Sequence, residues 1–497
     1  MSFNSLAFLV FLPLTVAVHY VLPHRVRWVW LLAASYLFYM FKKPEMGLLI
    51  LSVTVVTYSG GLLVDVLLNK HGRKKLAGAI AGITVAVLFL CLGFFKYFSF
   101  LSENVNALIG LAGGRAFDTI DVVLPVGISF FTFQAVSYVI DIKRGKIRAE
   151  RHFGYFALFI SFFPQLVAGP IERPDVLIPQ LRAKRYLRFE YLSSGSSRLL
   201  IGFFKKLVVA DVLAGPVKTV FDDPVGCGSA VSALGAVLFG IQIFCDFSGY
   251  TDIATGAAEL LGIRLSKNFD KPYSAVSPSD FWRRWHISLS SWFRDYVYIP
   301  LGGSRRGALR TILNMTAVFL LSGLWHGAAW HFVLWGLLHG IVCGVDSATF
   351  EWRNRSLRKM RLDPEGLFVV TVRRILTFLT VTFLWIFFRA GSVKSAADMI
   401  AVIFGGIKGK GLAALSQDTV TLLTVALSIV ILIVIDSGHA NKSFFISGEK
   451  NTPRSAHKAF CGETSPAAAV LLLWTIALCW LLLAANTAES SFIYFQF

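Results

Sequence analysis

Long apolar runs leave this chain few folds to adopt. Leu76 to Tyr97, Thr419 to Ile435 and Ala467 to Ala485 are each about as long as a bilayer-crossing helix, roughly 20 residues at about 1.5 Å per residue. Similar windows recur near 5–22, 28–41, 46–68, 76–98, 122–140, 152–168, 199–221, 230–250, 309–323, 328–345, 367–389, 419–437 and 466–485. Several are short or interrupted, so they predict roughly eleven to thirteen spans. The chain therefore reads as an all-α polytopic membrane protein, with a retained first span from Leu6, because no basic leader or cleavage site precedes it.

Charge supports the same reading. Only 15% of residues are charged and 55% are hydrophobic, against roughly 25% charged in soluble domains. The 48 Lys and Arg outnumber 29 Asp and Glu, for a net charge of +19. Confined to short loops, that excess orients the chain and meets anionic lipids, and it does not read as a nucleic-acid footprint. The Lys70, Arg73, Lys74, Lys75 loop and the Lys143, Arg144, Lys146, Arg148, Arg151 loop flank a stretch, 99–121, whose only basic residue is Arg115. The two loops are expected in the cytoplasm and 99–121 outside, which also puts the N-terminus outside. Residues 172–198 and 351–374 are further basic blocks too polar to cross. Six cysteines without CxxC spacing suggest neither a disulfide framework nor a zinc site.

Ionisable residues inside apolar spans are costly and mark function. His326, in LSGLWHGAAWHFVLWGLLHG, sits between Trp325 and Gly327, where close backbone approach and a neutral imidazole suit a general base. A buried histidine satisfied by a carbonyl is the plainer account of that residue alone. His331 and His339 follow at five and eight residues; on a helix these are about 140° and about 12 Å away, so no metal site is expected. Between Ser279 and Pro300, Phe281, Trp285, Leu289, Trp292 and Tyr296 recur on one face and Arg284, Ser288, Ser291 and Asp295 on another, the pattern of an amphipathic helix lying in an interface or lining a cavity. His286 lies within it and could polarise a carbonyl or position a nucleophile, while Arg283 and Arg284 could hold an anionic cofactor.

QIFCDFSGYTDIA (242–254) places Asp246, Ser248, Tyr250 and Asp252 at the end of a span, and such polar density predicts a lined cavity or a broken helix. FFPQLVAGPIERP (162–174) is interrupted by Pro164, Gly169 and Pro170, as in a re-entrant element or a kinked span. No nucleophile elbow, Walker A loop or dinucleotide fingerprint stands in a convincing context, which removes hydrolase, pump and dinucleotide readings. The chain closes on Ser491-Phe-Ile-Tyr-Phe-Gln-Phe497, an aromatic anchor or else a tyrosine hydroxyl able to enter a pore and accept an acyl group.

YVIDIKRG (138–145), FFPQLVAGPI (162–171), CDFSGYTDIA (245–254), NFDKPYSAVSPSDFWRRWHISLSSWFRDYVYIPLGG (268–303) and LSGLWHGAAWHFVLWG (321–336) resemble the membrane-bound O-acyltransferase family. The resemblance is to its bacterial branch, which acetylates alginate or peptidoglycan and D-alanylates teichoic acid. It covers most of the first 345 residues; 346–485 carries no recognised motif. It implies a helical ring with re-entrant and amphipathic helices around a membrane-crossing tunnel. The whole chain, 1–497, would be one domain, with a motif-bearing core at about 122–345, C-terminal spans at 346–485 and an aromatic motif at 492–497. The family's essential histidine falls on His326 and its second on His286. The ending is similar to an F-x-Y-x-x-F motif, making Tyr494 a candidate acyl carrier seated by Phe492 and Phe497. Trp285, Trp325 and Asp246 are expected to line the substrate path with Arg283 and Arg284.

The resemblance implies a protein of the bacterial cytoplasmic membrane that moves an acetyl group from a cytoplasmic thioester, acetyl-CoA or an acyl carrier protein, without a metal. An extracytoplasmic transferase partner would pass it to a surface polysaccharide such as an alginate-like polymer or peptidoglycan. D-alanyl or other acyl transfer to a teichoic-acid-type polymer is the alternative. A transporter, in which His326 and the 242–254 carboxylates form a pathway without covalent chemistry, is the competing class, and thioester consumption separates the two.

Overall fold

The computed structural model describes residues 1–120, 122–414, 426 and 492, and every regular element among them is a helix. Nearly all of the span expected at 419–437, the whole of 466–485, and Tyr494 and Phe497 lie outside the described residues. Six described helices are long and apolar enough to cross a membrane: Met46–Asn69, Lys74–Leu111, Ser229–Leu260, Ala308–His326, Trp330–Lys359 and Leu367–Arg389.

Of the other expected spans, two lie almost wholly outside the described residues, two are the shorter continuous helices Leu6–Val21 and His24–Met40, and several more are broken. The 152–168 window is two pieces, Phe153–Ser161 and Phe163–Leu166, hinged at Phe162 beside Pro164. Pro164 lacks the N–H that a continuing helix would use. The 199–221 window runs from Phe189–Phe203 through a π-helical stretch, Phe204–Ala210, into Asp211–Asp222. The 122–140 window becomes helical only at Ile128, after Gly127 at a φ of 80°.

Lys74–Leu111 shows how the chain meets lipid. Ala77, Ala81, Thr84, Leu88 and Leu92 are buried, while Leu76, Ile83, Leu90, Leu101 and Leu108 are exposed, Leu90 at 72%. The exposed residues keep close to one side of the helix, and an uncovered apolar face of this length suits acyl chains.

Helix pairs inside the protein approach through glycine. Gly336, Gly340 and Gly344 recur every fourth residue on Trp330–Lys359 and face Ala308–His326. A Cβ on Gly340 would stand 2.5 Å from Thr316 Cα, and one on Gly344 2.8 Å from Ile312 Cα. Cβ atoms on Gly323 and Gly336 would collide with the carbonyl oxygens of Phe332 and Phe319. Small residues repeated at this interval let membrane helices pack backbone against backbone. Gly195 against Gly256 and Gly202 against Gly249 join Phe189–Phe203 to Ser229–Leu260 in the same way.

The polar 242–254 segment departs from expectation. Ser229–Leu260 is one continuous helix, so the cluster lies in its interior and neither ends nor breaks it. The reason is that cations come to it from the neighbouring π-helical stretch, where an extra residue per turn re-aims successive side chains. Lys206 Nζ lies 2.7 Å from Asp246 and 2.8 Å from Asp211, all three buried or nearly so, and Lys205 lies 2.7 Å from Asp252. Asp246, expected along the substrate path, is engaged in this buried ion cluster.

Candidate active site

The segment expected to be one amphipathic helix from Ser279 to Pro300 is two short helices, Pro278–Arg284 and Ile287–Phe293, followed by a π-helical stretch, Arg294–Tyr298. The break falls at His286, whose φ of 44° is left-handed. Such a conformation in a residue other than glycine costs on the order of 1–2 kcal/mol and persists only where surroundings enforce it. Here the enforcement is a passing segment. The Ile287 N–H donates to the Asn268 carbonyl at 2.9 Å, and the Asp270 N–H donates to the Arg284 carbonyl at 2.9 Å. Asn268 Oδ1 accepts from the Ser288 hydroxyl at 2.7 Å, and Ser288 Oγ accepts from the Ile171 N–H at 3.1 Å. These bonds replace the helical ladder, so the NFD, GPI and FWRRWHIS segments meet around one strained histidine.

His286 is fully buried. Its ring lies 4.7 Å from Phe247, edge-on, and 5.9 Å from Trp325. Among the described residues neither ring nitrogen has a hydrogen-bond partner, an arrangement that leaves both available to a ligand. His326 is the last residue of Ala308–His326, with its ring 4.9 Å from Trp325, 5.2 Å from Trp335 and 5.3 Å from Phe388. Trp325 therefore touches both histidines, and it packs in turn on Phe130 at 5.1 Å.

The other two histidines of this stretch have structural partners. His331 Nδ1 lies 2.9 Å from the Phe387 carbonyl, and His339 Nδ1 accepts from Trp282 Nε1 at 3.1 Å. Among the described residues, no three His, Cys, Asp or Glu side chains gather as a metal site requires.

A residue that sequence reasoning passed over completes the site. Lys96, inside Lys74–Leu111, donates through Nζ to the carbonyls of Trp325 and, at 3.1 Å, His326. Tyr97 Oη donates to the Leu324 carbonyl at 2.7 Å. A cavity opens here between Lys96, Pro125, Ser129, Phe130, Trp325 and His326. The available signal was a lone lysine in an apolar run.

The remaining expected residues divide. Arg283 is exposed, and Arg284 Nε binds Asp280 of its own helix at 3.0 Å. Trp285 is fully buried against Phe281, 5.4 Å away and stacked. Phe492 is 4% exposed and stacks on Tyr250 at 4.6 Å, with Phe247 at 5.9 Å. Phe247 is also the ring nearest His286 among those named above, so residue 492 stands one aromatic ring from that histidine. On the face carrying the 143–151 loop, Arg173 and Arg144 lie 4.6 and 5.2 Å from the centre of the Tyr296 ring, and Tyr296 Oη donates to Asp141 at 2.7 Å.

Chemically, a buried neutral imidazole within an aromatic wall can take a proton from a hydroxyl nucleophile, and a second, unpartnered imidazole beside it can orient the reacting group. Residues 148–388 match the model of the membrane-bound O-acyltransferase family. The chain is 37% identical to the probable alginate O-acetylase of Azotobacter vinelandii, over 81% of this chain and 78% of that protein. It is 35% identical to the peptidoglycan O-acetyltransferase of Helicobacter pylori over 78% and 76%. Against the teichoic acid D-alanyltransferase of Bacillus subtilis it is 28% identical over 52% and 67%.

Proposed function

Because the chain belongs to the membrane-bound O-acyltransferase family and is a multi-pass membrane acyltransferase, we propose that it moves an acetyl group from a cytoplasmic thioester through the membrane for O-acetylation of an extracytoplasmic polysaccharide. Acetyl-CoA is the donor, entering past the basic residues around Tyr296. His326 removes the proton from the attacking hydroxyl as that oxygen adds to the thioester carbonyl; the tetrahedral adduct collapses, and the departing thiolate takes up a proton. A hydroxyl is barely ionised near pH 7, so attack without such a base would be slow. His286 positions the reacting group.

The observation that carries this reading is that His326 and His286 both pack on Trp325, each deeply buried. The 35–37% identity to acetylating relatives over about four-fifths of the chain supports acetyl over D-alanyl transfer. The acceptor is a polysaccharide hydroxyl reached through an extracytoplasmic transferase, with Tyr494 as the intermediate carrier. Burial of Phe492, two residues before it and one ring from His286, supports that assignment.

Mass spectrometry of the purified protein incubated with acetyl-CoA tests the shuttle. An acetyl adduct on the C-terminal peptide, lost in both Tyr494→Phe and His326→Ala, is expected. An adduct that is absent while thioester is still consumed with a partner present would mean direct transfer and reduce the ending to an anchor.

A further inference from the structure

We propose that Lys96 is a positioning residue for acyl transfer: its ammonium holds the end of the helix that presents His326 and fixes the imidazole in the cavity. The inference rests on His326 being the base.

Three observations carry it. First, the last carbonyls of a helix lack intrahelical partners and carry the negative end of its dipole. In Ala308–His326 those of Leu324, Trp325 and His326 are taken by side chains of one other helix, through Tyr97 and Lys96. A charged donor makes stronger bonds there than a neutral one and complements the dipole.

Second, the same helix grips the turn beyond His326. Asn104 Oδ1 accepts from Trp330 Nε1 at 2.9 Å, and Phe100 packs on Trp330 at 5.7 Å. The chain reverses between His326 and Trp330, and both sides of the reversal are tied to Lys74–Leu111. Small displacements of the helix end are thereby resisted at residues 324, 325, 326 and 330 together.

Third, no carboxylate forms an ion pair with Lys96 among the described residues, in contrast to Lys205 and Lys206, which pair with Asp252, Asp211 and Asp246. Its ammonium is balanced by carbonyl dipoles and by the Trp325 ring, whose centre is 5.8 Å away. A lysine serving only to hold two helices together is better satisfied by an acid. This one sits on the backbone of the reacting histidine and lines its cavity.

The test is steady-state turnover of acetyl-CoA by the full chain in native membranes containing the acceptor system, with folded protein quantified by thermal melting. Lys96→Met keeps the length and removes charge and donors. Its kcat per folded molecule should fall by about 100-fold, the scale of a base misplaced by about 1 Å, with KM for acetyl-CoA unchanged. Lys96→Arg restores charge and donors and should recover most of the loss. A purely structural role would lower the folded fraction and leave kcat per folded molecule intact, and that result, or wild-type kcat in a folded Lys96→Met, overturns the inference. If Lys96→Met does not fold, Tyr97→Phe decides: it deletes one hydroxyl from the same helix end, and a lower kcat at unchanged KM supports the inference while wild-type kcat overturns it. Inactive His326→Ala beside wild-type Lys96→Met refutes this inference alone. Active His326→Ala refutes the base assignment on which it rests.

Discussion

Gly340→Ala adds one methyl group at the seam that carries His326, and its effect can be worked from geometry. The new Cβ would stand 2.5 Å from Thr316 Cα. Carbon atoms rest at about 3.5–4.0 Å, so the shortfall is about 1 Å or a little more. The obstructing atom is backbone, and no rotamer change can relieve it; Trp330–Lys359 and Ala308–His326 must part. Overpacking of this kind costs typically about 1–3 kcal/mol. The larger consequence is catalytic, because Thr316 and His326 share one helix. A base displaced by about 1 Å can lose about 100-fold in rate. The assay is thioester turnover per folded molecule beside a melting curve in detergent. Gly82→Ala is the control: it lies within Lys74–Leu111, and its added methyl group would meet no heavy atom within 4 Å, so it should retain full activity and gain roughly 0.5–1 kcal/mol from helix propensity. Wild-type turnover and melting in Gly340→Ala would refute the claim that backbone contact along this seam places the base.

Two further outcomes concern buried charge. Lys206→Met leaves Asp246 and Asp211 without the ammonium that bridges them and should destabilise the protein by about 3–5 kcal/mol; adding Asp246→Asn should recover part of it, and an unchanged melting temperature in Lys206→Met would contradict the ion cluster. Glu172, in the polar segment outside the spanning helices, is buried, and this burial pushes its carboxyl up to about 7 from an ordinary 4.5 despite hydrogen bonds from Ser266. The folded state then holds the proton more tightly than the unfolded state, so stability should fall by roughly 3 kcal/mol as pH rises from about 4.5 to about 7 and level off above; Glu172→Gln should flatten this slope in detergent melts, and an equally steep slope in that variant would show that other groups cause it.

Apolar length announced the membrane and most of its helices, because a lipid solvent permits little else. Met46–Asn69 and Leu367–Arg389 fall almost where hydropathy sets them. The breaks were harder to read. The Ser279–Pro300 segment has helical periodicity throughout, and the bend at His286 is imposed by Asn268, Asp270 and Ile171, which are distant in sequence. The 242–254 cluster looked like a helix end because the cations that satisfy it, Lys205 and Lys206, lie some forty residues earlier. Within the site, histidine identity alone did not separate His326 from His331 and His339; the carbonyl of Phe387 and the indole of Trp282 do. Lys96 was visible as a charge in an apolar run, but its partners are backbone carbonyls that no sequence pattern reveals.

The central claim is thioester-dependent acyl transfer with His326 as the base. Inverted membrane vesicles from an expressing strain, supplied with radiolabelled acetyl-CoA on the cytoplasmic face, test it by the label that reaches polysaccharide. Transfer by the wild type and its loss in His326→Ala, at equal abundance of folded protein, is the predicted result; equal labelling by the two proteins would contradict the account.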